Sequence, residues 1–195
     1  MTPASIPLRV IQGTTLNKVL RLMQPGRAYK EISAIAAAAP VVITVPGHGL
    51  TGTWPVWFRG VTGLNGINRE PDSTRPWMAE VVDPDNLRIN AIDATGQKGQ
   101  GGRLIYLPPV DLTGVAGRLQ VRAAVGSSDV LLDLNTTNGG LVIDGLGLLR
   151  IHLSATESAA LAWKTGVYDL ELTFSDGTVT RFAEGDVVVS QEVTR

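Results

Sequence analysis

The sequence predicts an all-β protein: an antiparallel β-sandwich with an inserted small β-barrel and one short helix. Glycine occurs 22 times and proline 11 times in 195 residues, which is typical of many turns between short strands. Several segments alternate apolar and polar residues with a period of two. The middle of the chain differs from these segments, because three of the four tryptophans lie there among short apolar stretches.

The clearest strands lie in the C-terminal half. Residues 168–174 alternate apolar and polar side chains, which predicts a strand with one buried face. Asp176-Gly177 supplies the positive φ angles of a tight hairpin, residues 178–182 pair back, and residues 187–193 form a further strand. The same alternation predicts strands at residues 118–124, 130–134 and 148–153. This spacing is typical of two packed antiparallel sheets.

One interval interrupts the strands. Ser154 and Glu157 have the spacing of a capping box, so residues 154–164 are predicted as a two-turn helix. Such a short helix needs tertiary contacts, and we expect Leu161 and Trp163 to pack it across one end of the sandwich.

Tyr168 stands two residues after a glycine, at the start of a strand. In immunoglobulin-like sandwiches a tyrosine at this place bonds its hydroxyl back across a loop, while Leu170 stands where antibody domains have cysteine. We therefore expect the sandwich to be immunoglobulin-like.

The middle of the chain predicts a second body. Strand candidates at residues 41–45, 56–58, 78–82 and 87–90 are each too short to form a stable sheet alone. Four or five such strands curled together would enclose a small barrel. The predicted domains are a discontinuous sandwich of residues 1–31 and 107–195, and an inserted barrel of residues 32–106.

Composition excludes several classes of chemistry and partner. The 17 basic and 18 acidic residues give a formal charge of -1, which argues against a nucleic-acid partner. The absence of cysteine excludes disulfides, thiolate catalysis and thiolate zinc sites. No apolar run approaches the roughly 20 residues of a membrane helix. No secretory signal is evident, so we expect synthesis in a cytosol and no membrane partner.

No catalytic site, metal site or cofactor is predicted. We interpret His48, in a Pro-Gly-His-Gly-Leu segment, as a turn histidine that bonds local backbone, and we expect His152 to face solvent. Asp83-Pro84-Asp85-Asn86 lacks the later glycine and glutamate of an EF-hand loop and is interpreted as a turn. Residues 96–102 are glycine-rich but lack the Gly-Lys-Ser/Thr of a phosphate-binding loop.

Trp54, Trp57 and Trp77 leave two interpretations open. Their flat faces could stack on sugar rings as a glycan platform, or they could fill a small core or a subunit interface, which is the interpretation we favour. Trp57 is followed by Phe58 in a predicted strand, so one of the two faces inward and the other outward.

Charge is divided unevenly along the chain. Residues 1–30 hold five bases and no acid, whereas residues 107–195 hold six bases and eleven acids. Complementary charges of this kind steer protein association. If residues 1–30 supply strands to the same sandwich, these opposite charges meet within one body. If they reach outward, Arg9, Lys18 and Arg21 are candidate docking residues for the acidic C-terminal body of a neighbouring subunit.

The middle of the chain resembles a known module. Residues 42–50 and 56–66, followed by residues 82–87 and Gly101-Gly102, resemble a small β-module of tailed-phage structural proteins. That module is similar to the first catalytic-cysteine half-domain of ubiquitin-activating enzymes, and the resemblance covers about residues 32–106. It implies no enzymology, because the region lacks the catalytic cysteine.

A second resemblance concerns the flanking parts. Asp111-Leu112-Thr113-Gly114, together with residues 118–122, 166–172 and 192–195, resembles the immunoglobulin-like domain of phage baseplate and tail-appendage proteins, similar to the upper-baseplate amino-terminal family. In such domains the strand ending near Leu22 leads, after a short connection, to the Asp-Leu-Thr-Gly turn. The barrel module is therefore interpreted as an insertion into a loop.

These resemblances imply a non-enzymatic virion structural protein of a tailed bacteriophage, acting in the tail, baseplate or fibre-attachment region and assembled in the host bacterial cytoplasm. The expected partners are other virion proteins and further copies of the chain in a homo-oligomer. The alternatives are a receptor- or glycan-binding module that uses the barrel to hold a cell-surface glycan, and a head decoration protein. A hydrolase would need a nucleophile–base pair, which the sequence does not indicate.

Overall fold

The computed structural model describes residues 3–191 and confirms the all-β class, with 49% strand and 4% helix. The strands, in chain order, are β1 (Ala4–Ser5), β2 (Leu8–Ile11), β3 (Leu16–Arg21), β4 (Ala28–Glu31), β5 (Ala34–Ile35), β6 (Val41–Thr44), β7 (Thr53–Arg59), β8 (Trp77–Val81), β9 (Asn86–Ile89), β10 (Arg103–Tyr106), β11 (Ala116–Arg122), β12 (Val130–Asn135), β13 (Leu141–Gly145), β14 (Leu148–Leu153), β15 (Thr165–Thr173) and β16 (Val179–Ser190). An α-helix, α1 (Ala155–Ala159), and a 3-10 helix (Asn65–Ile67) complete the elements. Neither could span a bilayer, and the described residues include no other helix.

The chain folds as two compact units. Unit 1 runs to residue 21, then from 112 to 144, and resumes at 148, whereas unit 2 comprises residues 22–111 and 145–147. The sequence places the first boundary ten residues later, after residue 31. The boundary falls earlier because β4 pairs with β10 in the sheet of unit 2. The tripeptide 145–147, which comprises the last residue of β13 and the two residues before β14, also belongs to unit 2, and no sequence pattern indicates this.

Unit 1 is a sandwich of two sheets. The larger has the order β1-β16-β15-β11-β12, with β2 also on β16, and the smaller has the order β13-β14-β3. Unlike the predicted antiparallel arrangement, β1 and β2 pair with β16 in parallel. The two sheets face each other, since a Cβ placed on Gly117 of β11 would lie 3.0 Å from Leu141 of β13 and 3.2 Å from Leu172 of β15.

Alternation along β15 and β16 builds much of this core. Tyr168, Leu170 and Leu172 of β15 are buried, and the residues between them are more exposed, as the sequence predicts. β16 is a single strand where the sequence predicts two, and a register shift beside Leu170 keeps it paired with β15. At the hairpin only Gly177 has a positive φ, of 82°, so the predicted positive φ at Asp176 is wrong. The predicted strand end at residue 193 lies outside the described residues.

The helix begins as predicted and ends early. The Ser154 hydroxyl accepts the Glu157 N–H at 3.2 Å, and the Glu157 carboxylate accepts the Ser154 N–H at 2.8 Å, which completes the capping box. α1 ends at Ala159 instead of continuing to residue 164. Beyond it, the Gln12 side chain donates to the Leu161 carbonyl at 2.5 Å and holds that carbonyl in a non-helical course.

Tyr168 is buried, but its hydroxyl does not bond across a neighbouring loop. It donates to the carbonyl of Ile6, in the segment between β1 and β2, at 2.8 Å. Gly185 allows this close approach, because a Cβ there would lie 2.6 Å from the Ile6 oxygen. Burial raises the pKa of Tyr168 to about 12.

Unit 2 contains one sheet of seven strands in the order β4-β10-β7-β8-β9-β6-β5, curled into a half-barrel. Neighbouring strands are antiparallel throughout. Trp54, Val56 and Phe58 of β7 have no exposed surface and lie in its core. The sequence predicts a small barrel and four of the seven strands; the two edge strands of the curled sheet are β4, which pairs with β10, and β5, which pairs with β6.

Candidate interaction surfaces

The structure does not bring the three predicted docking residues into one patch. Arg9 is exposed on β2, in the larger sheet of unit 1. Lys18 and Arg21 lie on β3, in the smaller sheet, three positions apart and therefore on opposite faces. The other two bases of the N-terminal segment, Arg27 and Lys30, belong to unit 2.

Lys18 has a place in the edge of the smaller sheet. β3 ends that sheet, and Lys18 shares a strand face with the buried Leu20 while its own side chain remains exposed. Its partner across the strands, Ile151, is also buried. A lysine on the inward face of an edge strand discourages pairing with another chain.

The three tryptophans of unit 2 link its sheet to neighbouring segments through their indole N–H groups. Trp54 has no exposed surface, so it cannot stack on a sugar and lies in the core instead. The guanidinium of Arg69 lies 3.2 Å from the ring centroid of Trp77 and covers one face of that indole. Phe58 is buried and Trp57 partly exposed, as neighbours in a strand must be. Each indole N–H donates to a carbonyl: Trp54 to Leu107 (2.9 Å), Trp57 to Thr74 (3.0 Å) and Trp77 to Ile67 (2.8 Å).

His48 is buried, and its hydrogen bonds link residues 42–50 to residues 82–87. Its Nδ1 accepts the Leu50 N–H at 3.0 Å, which leaves the proton on Nε2, and Nε2 donates to the Asp83 carbonyl at 3.1 Å. The Tyr106 hydroxyl donates to the His48 carbonyl at 2.7 Å. Burial lowers the pKa of His48, so the neutral ring is favoured. Both ring nitrogens serve backbone groups, one local and one distant.

The acidic segment that follows β8 is a turn. The Asp83 carboxylate accepts the N–H groups of Asp85 and Asn86, each at 2.9 Å, and the Asn86 side chain also donates to it. These hydrogen bonds, led by that from the Asn86 side chain, lower the pKa of Asp83. No cluster of three or more acidic or histidine side chains suited to a metal ion occurs among residues 3–191.

A groove of about 790 Å³ lies along the outer face of the larger sheet of unit 1. Strands β1, β11, β15 and β16 and the loop at residues 124–127 form its walls, and Val125 on that loop is 93% exposed. The charged side chains that line it are Arg118, Arg122, Asp169, Glu171, Arg181, Glu184 and Asp186. Alternation in β15 predicts that Asp169 and Glu171 face water, but only the strand order shows which side chains surround them.

Charges in this groove are unevenly matched on the β15–β16 side. Asp169 lies directly opposite Glu184, an arrangement of like charges that destabilises a strand pair. The Arg181 guanidinium offsets this repulsion, because it lies 3.5 Å from the Asp169 carboxylate and 3.8 Å from the Glu184 carboxylate. Glu171, also exposed, makes no ion pair within the described residues. This side of the groove therefore carries an excess of negative charge.

The β11 side is held by hydrogen bonds. Arg118 Nη2 lies 2.5 Å from the Asp133 carboxylate on β12, and Gln120 donates to the same oxygen at 2.7 Å. The hydrogen bond from Arg118 is the main cause that lowers the pKa of Asp133 to about 2. Arg122 donates to two loop carbonyls at 2.6 Å. The basic wall is therefore fixed in position.

No protein-family model matches the chain, and no curated protein matches it at a significant level.

Proposed function

We propose that this protein is a virion structural protein of a tailed bacteriophage, which acts in the tail, baseplate or fibre-attachment region by binding other virion proteins. The resemblance of its two sequence stretches to phage modules supports this role. The observation that carries the docking part of the proposal is the groove on the larger sheet of unit 1, with its fixed basic wall and its excess of carboxylates opposite.

The groove suits a protein partner of complementary charge. Its walls come from paired strands, so little conformational freedom is lost when a neighbour binds. An interface of standard size buries about 800 Å² on each partner, and a sheet face with a loop rim can supply such an area. The unmatched carboxylates favour a neighbour that presents basic side chains.

The two imidazoles that a catalytic triad would need make hydrogen bonds within the fold. Both ring nitrogens of His48 are occupied by backbone groups. Nδ1 of His152 lies 2.9 Å from the side-chain oxygen of Asn17. Within the described residues neither imidazole is bonded to a hydroxyl that it could activate. This arrangement supports a binding role rather than hydrolysis.

Charge reversal in the groove tests the proposal. Phage particles are assembled with Glu171→Lys, and the protein content of purified particles is measured by mass spectrometry. Glu171 is exposed and unpaired, so the variant should fold, but a basic partner should be repelled and incorporation should fall about tenfold or more. Glu70→Lys is the matched control, because Glu70 is an exposed carboxylate of unit 2, outside the groove.

Two results would overturn this proposal in different ways. Absence of the unaltered protein from purified particles would reject the virion role itself. Equal incorporation of Glu171→Lys and the unaltered protein would reject the groove as the docking surface. Antibody labelling of intact particles then assigns the protein to the tail or the head.

A further inference from the structure

We infer that a second copy of this chain pairs with the first edge to edge through strand β4, joining two seven-stranded sheets about a two-fold axis. The inference deepens the proposed assembly function and rests on it in one respect: it names the same chain as a partner and β4 as the surface.

The backbone of β4 leaves hydrogen-bonding groups unused. β4 ends its sheet, with β10 as its neighbour, and just beyond it the Ile32 N–H donates to the directly opposite Gly102 carbonyl at 3.1 Å. Hydrogen-bonded pairs alternate along antiparallel strands, so the even-numbered residues of β4 turn their backbone groups toward β10. Tyr29 and Glu31 turn theirs outward. Two N–H and two C=O groups are therefore presented at this edge.

Three other edge strands, β12, β3 and β5, carry protection. The Asn138 side chain accepts the Asn135 N–H at 2.9 Å and donates to the Asp133 carbonyl at 2.9 Å, taking the place of a strand beside β12. β3 has the inward-facing Lys18, and β5 is only two residues long. β4 has four residues, and its Tyr29 side chain is 57% exposed. Tyrosine is among the residues enriched at protein interfaces.

Charge selects one register for the pair. With Tyr29 opposite Tyr29 of the second copy, Arg27 of each copy lies opposite Glu31 of the other. Tyr29 and Glu31 share one face of β4, and Arg27, one residue before the strand, continues the same alternation. The register thus forms two opposite-charge pairs and one aromatic pair, all of which stabilise antiparallel strands. It also matches the outward backbone groups of Tyr29 with each other.

The neighbouring registers are disfavoured. Centring the pair on Lys30 would place two lysines directly opposite each other, and centring it on Glu31 would do the same with two glutamates. Like charges in such positions destabilise strand pairing. The register centred on Tyr29 is the one of these three that carries complementary charges.

Ion pairs within each copy hold the two charged side chains at this edge. Arg27 Nη2 lies 2.5 Å from the Asp72 carboxylate, and Glu31 lies 2.7 Å from Arg103 Nε. Pairing of two copies would therefore create two rows of four charges with alternating sign, from Asp72 of one copy to Arg103 of the other. Such a network is stronger than an isolated surface pair.

Light scattering coupled to size-exclusion chromatography tests the inference on the full chain. We expect a concentration-dependent dimer. Glu31→Arg turns both attractive pairs into repulsive ones and should raise the dissociation constant about tenfold or more. The double variant Arg27→Glu/Glu31→Arg re-forms the two opposite-charge pairs between the copies but loses those with Asp72 and Arg103, so it should restore the dimer in part. Glu171→Arg, which reverses an exposed and unpaired carboxylate of unit 1, should leave it unchanged.

Thermal unfolding establishes that each variant is folded before its mass is interpreted. An unaltered protein that stays monomeric up to its solubility limit would overturn the inference. A dimer that Glu31→Arg does not weaken would exclude β4 as its surface. A monomeric protein that is nevertheless found in purified particles would reject the pairing while leaving the proposed virion role intact, so the two failures are distinguishable.

Discussion

Single side chains supply many of the hydrogen bonds that strands and turns leave unmade. The Asn68 side chain accepts the Val61 N–H at 3.0 Å and donates to the Val61 carbonyl at 2.8 Å, as a neighbouring strand would. His48 does the same for Leu50 and the Asp83 carbonyl. Buried backbone groups are costly when unpaired, so such residues stabilise the fold without forming a site.

The buried imidazole of His48 predicts a pH dependence of stability. Its pKa is lowered in the folded state, so above about pH 6.5 both states hold a neutral ring and its protonation has no effect. As the pH falls below the unfolded pKa, the unfolded chain binds a proton that the folded chain resists. The free energy of unfolding should therefore fall as the pH decreases, until the folded pKa is reached. Denaturant unfolding followed by tryptophan fluorescence measures it.

His48→Gln should flatten this pH dependence and should lower stability at pH 8 by about 1–3 kcal/mol, because a buried hydrogen bond is lost. His152→Gln is the matched control and should retain the decline. Protonation of carboxylates such as Asp133, which has a pKa of about 2, lowers the free energy of unfolding only at more acidic pH. Identical pH profiles for the unaltered protein and His48→Gln would contradict the assignment.

At the scale of elements, the sequence predicts strands such as β15, in which one face is buried, and misses others, such as β4 and β10, that do not alternate in this way. β15 lies between β16 and β11, with one face toward the core, so its side chains alternate clearly between buried and more exposed. β4 was not predicted, since none of its four side chains is fully buried. β10 is buried at three successive positions, Leu104 to Tyr106, and so shows no alternation. Parallel pairing of β1 and β2 depends on distant contacts that periodicity does not encode.

The same limit applies to the candidate surfaces. Alternation predicts that Glu171 faces water, but its neighbours across β11 and β16 depend on strand order. The predicted docking set of Arg9, Lys18 and Arg21 was chosen from charge along the chain, and the fold distributes it over two sheets. Trp54 could be assigned to the core only once its strand face was known.

The edge of β12 gives a prediction at this scale. Asn138→Ala removes the side chain that takes the place of a neighbouring strand, so the outward groups of Asp133 and Asn135 become available to another chain. We expect a stability loss of about 1 kcal/mol, because water replaces the lost bonds only in part. We also expect assemblies larger than those of the unaltered protein, measured by light scattering over a range of concentrations.

Thr137→Ala is the control for this experiment, since Thr137 is the exposed neighbour of Asn138 in the same turn. It should behave as the unaltered protein in both measurements. If Asn138→Ala shows no additional self-association, then the side chain is not what keeps β12 from pairing.

For the whole molecule, the basic N-terminal segment is divided among surfaces. Arg9, Lys18 and Arg21 belong to unit 1, whereas Arg27 is paired with Asp72 inside unit 2. The bases of this segment therefore lie on different strands and in two units, and do not form one basic arm.

This division predicts how charge reversal affects incorporation into particles. The triple variant Arg9→Glu/Lys18→Glu/Arg21→Glu should abolish incorporation, because every basic contact of unit 1 from this segment is reversed. Single reversals should each have a partial effect, and these effects should add, since separated sites act independently. Mass spectrometry of purified particles measures all four variants, with Lys98→Glu, on an exposed loop of unit 2, as the control for charge change. A triple variant that is folded and incorporated as the unaltered protein would show that these three bases do not contribute to docking.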